Sequence, residues 1–329
     1  MKQKIERIFV TGGSGFIGTH LITRLVQLGY AVTNYDIRPP IQREHYPIWK
    51  FGDVLNYQSL TSELAIAKPQ AIIHLAAQVD ISSTNLDAFS SIHEGTKILL
   101  DALTSCADVK RFIHTSTQFV VGPGKLPNAV DDYNPYTTYG QAKAISEQVF
   151  RSRDPDCVWC IIRPTNIWGP FHPLFADTVW RYVAKGLYFH PVTRNPVLRS
   201  YGYVRNAVEQ IIALLRAPDA AIHRNVFYLA DEIIDSALWL DAFSQALRNK
   251  PVKRLPLPIL KVGAKMGDGL RRLGINAPLD SSRLMRMTTN YLVPLDNTFE
   301  LAGPPLVSLE RGVEETVGWL RIAYPAVYA

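Results

Sequence analysis

A doubly wound parallel α/β sheet followed by a smaller C-terminal lobe is predicted by three features of this sequence. Short apolar runs (Ile8-Phe9-Val10, Ala71–Ala77, Arg111–Ser116, Val158–Arg163) have the length and bulk of strands buried on both faces. Stretches of helical length alternate with them at an even pace, the pattern of parallel strands joined by crossover helices. From about Gly169 that rhythm breaks, with prolines at 170, 173, 191 and 196 among many aromatics. The expected division is therefore residues 1–168, with some later segments returning to that core, and residues 169–329 as the lobe.

The first strand, Ile8–Val10, runs into Thr11-Gly12-Gly13-Ser14-Gly15-Phe16-Ile17-Gly18, and an amphipathic helix continues to about Leu28, with Gly29 as its stop. Gly12 suits a tight turn off the strand, Gly15 a close backbone approach, and Gly18 the packing of helix on sheet. The second strand, Ala31–Tyr35, ends in Asp36, and Ile37–Tyr46 with its paired prolines reads as loop. Trp49–Val54 reads as a short strand ending at Gly52-Asp53, and a helix over about Tyr57–Ala67 stops before Pro69. Ala71–Ala77 is a buried strand whose small terminal residues permit close approach, with His74 as a core histidine. A long helix over about Asn85–Ser105, the strand Arg111–Ser116, the helix Tyr139–Arg151 and the strand Val158–Arg163 complete the core.

Composition narrows the class. At 329 residues and 36.9 kDa the chain can bury a large core, and 47% hydrophobic against 19% charged residues describes a globular protein. The net charge of +6 suits an anionic ligand such as a nucleotide, but the arginines are scattered and no basic block points to nucleic acid. Three cysteines argue against a disulfide framework and for a reducing compartment, so a cytoplasmic location is expected. Cys157 and Cys160 match C-x-x-C, yet positions three apart on a strand face opposite ways, so they read as strand cysteines; no metal is expected. No leader peptide is read at the N-terminus, and no run of about 18 apolar residues spans a bilayer.

The chemistry follows from three places. A strand, a glycine loop and a helix start form an anion site, because free N–H groups and the positive end of the helix dipole face the phosphates. Asp36, at the end of the second strand, is placed to accept from both ribose hydroxyls of NAD, and its charge disfavours the 2′-phosphate of NADP despite Arg38 nearby. Gly12, Gly15, Phe16, Ile17, Gly18, Asp36, Asp53, Val54 and the Leu75-Ala76-Ala77 strand end are thus the candidate cofactor contacts, Asp53 and Val54 towards the adenine. Tyr139 and Lys143 stand four apart on one helix face, so the ammonium favours phenolate and tunes the tyrosine for proton exchange with a carbinol. The strand-end hydroxyls Thr115, Ser116 and Thr117 precede them.

TGGSGFIG, Asp36, Asp53, HLAA, TSTQFVVG, YGQAK and RPTNIWGP, in this order over about residues 5–210, resemble the extended short-chain dehydrogenase/reductases. That group comprises NAD-dependent sugar-nucleotide epimerases and dehydratases on a Rossmann core with a substrate-binding lobe. PLVSLERGVEETVGWLR is similar to its closing amphipathic helix. The resemblance implies Tyr139 as acid/base, Lys143 lowering its pKa and gripping the nicotinamide ribose, and Thr117 holding the reacting hydroxyl. It also places Thr115 and Pro164, with Thr165, by the cofactor, Asn166 at the sugar nucleotide, and Arg199 at the diphosphate; Arg286 is not assigned. A homodimer through two helices per subunit, the Tyr139 helix among them, is implied too.

Departures from the family pattern narrow the reaction. Gln118-Phe119 stands where dehydratases carry an acidic pair, so water elimination lacks its acid and base, and decarboxylases usually have Glu at the place of Phe119. Val121 replaces a usual Tyr, Ile92 a usual Asn, and Tyr203-Val204-Arg205-Asn206 stands for Tyr-Val-Asp-Asp. The first reading is an NAD-dependent epimerase of a nucleoside-diphosphate sugar, at C4, by way of a keto-sugar. The second is a net NAD(P)-dependent dehydrogenase or ketoreductase of a sugar nucleotide or a sterol-like alcohol. Residues 255–274, apolar with interleaved Lys and Arg, bear on the latter: they read as a lid helix with a solvated basic face or as a membrane-surface helix. A non-catalytic cofactor-binding protein is a third reading, which Tyr139 and Lys143 speak against.

Overall fold

The computed structural model describes residues 5–79, 83–104, 106–275 and 277–328. The strands are β1 (Arg7–Thr11), β2 (Ala31–Asp36), β3 (Trp49–Phe51), β4 (Ala71–His74), β5 (Arg111–Thr115), β6 (Val158–Pro164), β7 (Asn166–Trp168), β8 (Phe189–Val192), β9 (Leu198–Tyr203), β10 (Asn225–Leu229), β11 (Ile233–Asp235) and β12 (Lys253–Pro256). The first four long helices are α1 (Phe16–Gln27), α2 (Tyr57–Ala67), α3 (Ser90–Leu103) and α4 (Thr138–Arg153). Seven strands form one parallel sheet in the order β10-β6-β5-β4-β1-β2-β3. This is the doubly wound core that the alternation of apolar runs and helices predicts.

Side chains alternate across the sheet, which is why both faces need cover. Ile8, Val10, Ile73 and Ile113 pack under Leu21, Ile22 and Leu25 of α1 and the apolar stripe of the helix Val204–Arg216. Phe9, Ile72 and Phe112 face the other way, onto Leu60, Leu64, Leu99 and Phe150 of α2, α3 and α4. Asn56 and Thr137 cap α2 and α4 by accepting from the backbone N–H groups of Ser59 and Gly140 at 3.0 Å each.

Several elements are shorter than their apolar patterns. β4 ends at His74 because β1 ends at Thr11; after the bond from Leu75 N to Thr11 O, at 2.9 Å, the partner strand turns away. β3 likewise ends with β2, its last ladder bond being Gly52 N to Asp36 O at 3.3 Å. The loop after Asp36 holds a 3₁₀ turn, Arg43–Ile48, and α3 begins at Ser90 after another, Leu86–Phe89. Ser105, in the expected tail of that helix, lies outside the described residues.

Chain order reverses between β1 and β4, so a crevice opens at their carboxyl ends. β7, β9 and β11 form a small sheet beyond β6, and β8 pairs with β12. The Arg205-Asn206 departure is structural: Arg205 donates to Glu315 at 2.7 and 2.9 Å and Asn206 to Val307 O at 2.9 Å, which fastens the C-terminal helix Leu309–Ala323.

Candidate active site

The glycine loop lies at the chain reversal. Gly12 has φ +74°, and a Cβ there would meet the Ala76 backbone nitrogen at 2.5 Å, so only glycine lets the β1 turn pass the β4 end. A Cβ on Gly18 would strike Gly12 O at 2.5 Å, which ties the start of α1 to the same loop. Gly15 caps α1 without a side chain in the way, and Phe16 and Ile17 are half-buried in the first turn. Asp36 is buried, held by Ser14 N and Arg38 N at 2.9 Å each, and burial raises its carboxyl pKa despite those bonds. A glycine cradle, an open helix N-terminus and a fixed carboxylate at the next strand end fit a dinucleotide.

Asp53 and Val54 are placed differently. Asp53 is exposed and accepts from Leu55 N at 2.9 Å, while the Val54 side chain is buried against Gly95 of α3. Leu75, Ala76 and Ala77 are half-buried along the crevice.

Thr117, Tyr139 and Lys143 come together, each nearly buried at 6%, 9% and 2% exposure. Thr117 follows β5; its hydroxyl accepts from Phe119 N at 3.3 Å and holds down a Tyr139 pKa that burial raises. Lys143 Nζ donates to Thr115 O at 2.7 Å. The lysine does not lower the tyrosine here: burial pushes Tyr139 up to about 12 and Lys143 down to about 7. The reason is that the ammonium is spent on a backbone carbonyl in a dry pocket.

Below the site a buried polar chain links the crevice to α4. Thr11 Oγ1 lies 2.6 Å from His74 Nδ1, Thr96 Oγ1 3.5 Å from His74 Nε2 and 2.8 Å from Ser146 Oγ, and Ser146 Oγ 3.0 Å from His114 Nε2. Burial holds both imidazoles far below the usual range, His74 at about 3, so they are neutral struts. Cys157 and Cys160 are likewise inert, burial raising both thiols to about 12.

A wall of rings adjoins Tyr139. Phe119 lies 6.2 Å from Tyr139 and 5.6 Å from Tyr136 between centroids, and Tyr136 lies 6.3 Å from Tyr291. The Tyr291 hydroxyl reaches Gln118 O at 2.9 Å, and its backbone bonds Leu198 and Ser200 on either side of Arg199. The Arg199 guanidinium donates to Arg286 O, and both arginines act on Tyr136, holding down a phenol pKa that burial raises. Asn166 opens β7 beside Pro164, half-buried. Gln118 is 1% exposed, and neither of its side-chain amide atoms has a hydrogen-bond partner among the described residues. Tyr136 and Tyr291 have no local sequence signal as site residues; only the fold brings them to Phe119.

The Lys143 shift has a consequence for stability. Above pH 7 the folded, cofactor-free chain binds fewer protons here than the unfolded chain, whose lysine titrates near its ordinary 10.5. Stability therefore rises between about pH 7 and about pH 8.5, until the raised thiols of Cys157 and Cys160 oppose it. Thermal melts should show that rise, and Lys143→Met should flatten it.

The sequence model of the NAD dependent epimerase/dehydratase family matches residues 8–230. The chain is 27% identical over 327 residues to a UDP-glucose 4-epimerase of Vibrio cholerae, covering 94% of each. It is 29% identical over 227 residues to a 3-beta-hydroxysteroid dehydrogenase of Mycolicibacterium neoaurum, covering 64% of this chain and 61% of that one. Among solved structures, the UDP-glucose 4-epimerase of Thermotoga maritima with UDP-glucose aligns with a TM-score of 0.73 at 20% identity, over 96% of this chain and 99% of that one.

Proposed function

This chain belongs to the NAD-dependent epimerase/dehydratase family, and from that premise we propose that it epimerises a nucleoside-diphosphate sugar at C4. It is an enzyme of the extended short-chain dehydrogenase type, with NAD as its cofactor. The observation that carries the substrate reading is the place of Arg199, bonded to Arg286 O and bridged to Tyr291, whose ring lies against Tyr136, a single ring (Phe119) away from Tyr139. Guanidinium groups suit a diphosphate, and the distance of one aromatic ring suits the sugar between diphosphate and acid/base.

In this reading Gly12 and the first turn of α1 bind the cofactor pyrophosphate, Asp36 its adenosine ribose, and Lys143 its nicotinamide ribose. Bound NAD supplies the acceptor and, later, the donor of the hydride at the sugar carbon. Tyr139, as the phenolate that a charged Lys143 at the nicotinamide ribose would favour, takes the proton of the sugar hydroxyl and returns it at the end, and Thr117, beside Tyr139, holds that hydroxyl. Asn166 and Arg199 keep the nucleotide anchored while the keto-sugar turns its other face. Gln118 and Phe119 offer no carboxyl group, which supports epimerisation over loss of water.

A net dehydrogenase or ketoreductase of a lipophilic alcohol is the second reading, favoured by the apolar rings of Phe119, Tyr136 and Tyr291 and by Val121 at that wall. A deuterium on the reacting carbon separates the two: epimerisation returns it to the same carbon of the product sugar.

A further inference from the structure

The helix Leu257–Arg272 divides into three faces. Leu260, Ala264 and Gly267 are buried, packed with Leu279 and Leu284, and a Cβ on Gly267 would collide with the Leu279 backbone oxygen. Ile259, Val262, Met266, Leu270 and Leu273 instead follow one another at helical spacing and are 56%, 62%, 67%, 40% and 76% exposed. Lys261, Lys265 and Arg272 form an exposed row alongside, and neither lysine makes an ion pair among the described residues. The acidic residue of the helix, Asp268, is held by the backbone and hydroxyl of Ser281 at 3.0 and 2.5 Å.

We propose that this helix lies on the surface of an anionic lipid bilayer, its apolar stripe in the headgroup boundary and its basic row on the lipid phosphates. An apolar stripe of this size is costly in water and gains by entering a membrane interface, while the adjacent cations gain from anionic headgroups. No helix among the described residues is long and apolar enough to cross a membrane, so the contact is in the plane. A second copy is a poorer occupant. Antiparallel pairing of two such stripes about a two-fold axis sets each lysine row against the same row of its copy. The helix is also coupled to the active site: it packs on the helix Ser281–Thr288, which carries Arg286 and leads to Tyr291.

The test is flotation of the full-length protein with vesicles of phosphatidylcholine alone or with about one third phosphatidylglycerol. Binding to the anionic vesicles should be at least about tenfold tighter than to the neutral ones. Val262→Glu with Met266→Glu should abolish it without changing the melting temperature or turnover, because both side chains are exposed. Lys261→Gln with Lys265→Gln should remove the preference for anionic vesicles. The proposal is overturned if the wild-type protein does not float with anionic vesicles, or if the glutamate variant floats equally well. It is also overturned if light scattering shows a dimer that the glutamate variant dissolves while vesicle binding is absent.

Discussion

Tyr139→Phe lowers turnover by about 10³-fold and leaves the fold and cofactor retention intact. In the proposed reaction this hydroxyl exchanges the proton with the carbinol, and positioned acid/base groups contribute about 10²–10⁴ in rate. The ring stays, packed at 5.9 Å from Phe89 and 6.2 Å from Phe119, so the substitution removes a buried hydroxyl beside Thr117 and little else. The loss of stability should be on the order of 1 kcal/mol. Steady-state kinetics with quantified bound NAD checks this. Turnover within about tenfold of the wild type would mean that the proton leaves by another route.

The second large effect is on stability. Arg163 and Glu147 form a buried ion pair beneath α4, both sites closed to solvent. Arg163 Nε and Nη2 donate to the carboxylate at 2.8 and 2.7 Å, and its other bonds go to the Tyr228 hydroxyl at 2.8 Å and Val130 O at 2.6 Å. Tyr133 donates to the same carboxylate at 3.0 Å. Arg163→Met leaves Glu147 charged or protonated in a dry core, a loss of about 3–5 kcal/mol. At this chain length that lowers the melting temperature by about 4–7 °C. Arg163→Met with Glu147→Leu should recover most of the loss, because the pair then leaves together; calorimetry of both variants decides.

These two predictions differ in how far sequence reading reaches. Tyr139 and Lys143 are legible because their spacing is local to one helix, as are the glycine loop with its strand and helix, and Asp36 at a strand end. Their pairing also carries a predicted direction, phenolate favoured by the lysine, which the unliganded geometry reverses. Lys143 points to Thr115 O and burial controls both pKa values, an effect of enclosure that no spacing contains. Arg163 and Glu147 sit on different elements, and the sequence has no mark that joins them. The same holds for Tyr136 and Tyr291, which meet only because the segment after the helix Ser281–Thr288 is stitched to β9. Strand ends follow this rule as well: β3 and β4 stop where their neighbours stop, although their own residues would extend further.

The proposed reaction is oxidation and hydride return on one sugar. It is tested most directly by turning over a panel of nucleoside-diphosphate hexoses deuterated at C4 with the purified protein, following product by NMR and reduced cofactor by its near-ultraviolet absorbance. The expected product is a C4 epimer that keeps its deuterium at C4, without net accumulation of reduced cofactor. Reduced cofactor appearing in step with a keto product, with deuterium carried away from the sugar, would contradict it and make the protein a net dehydrogenase.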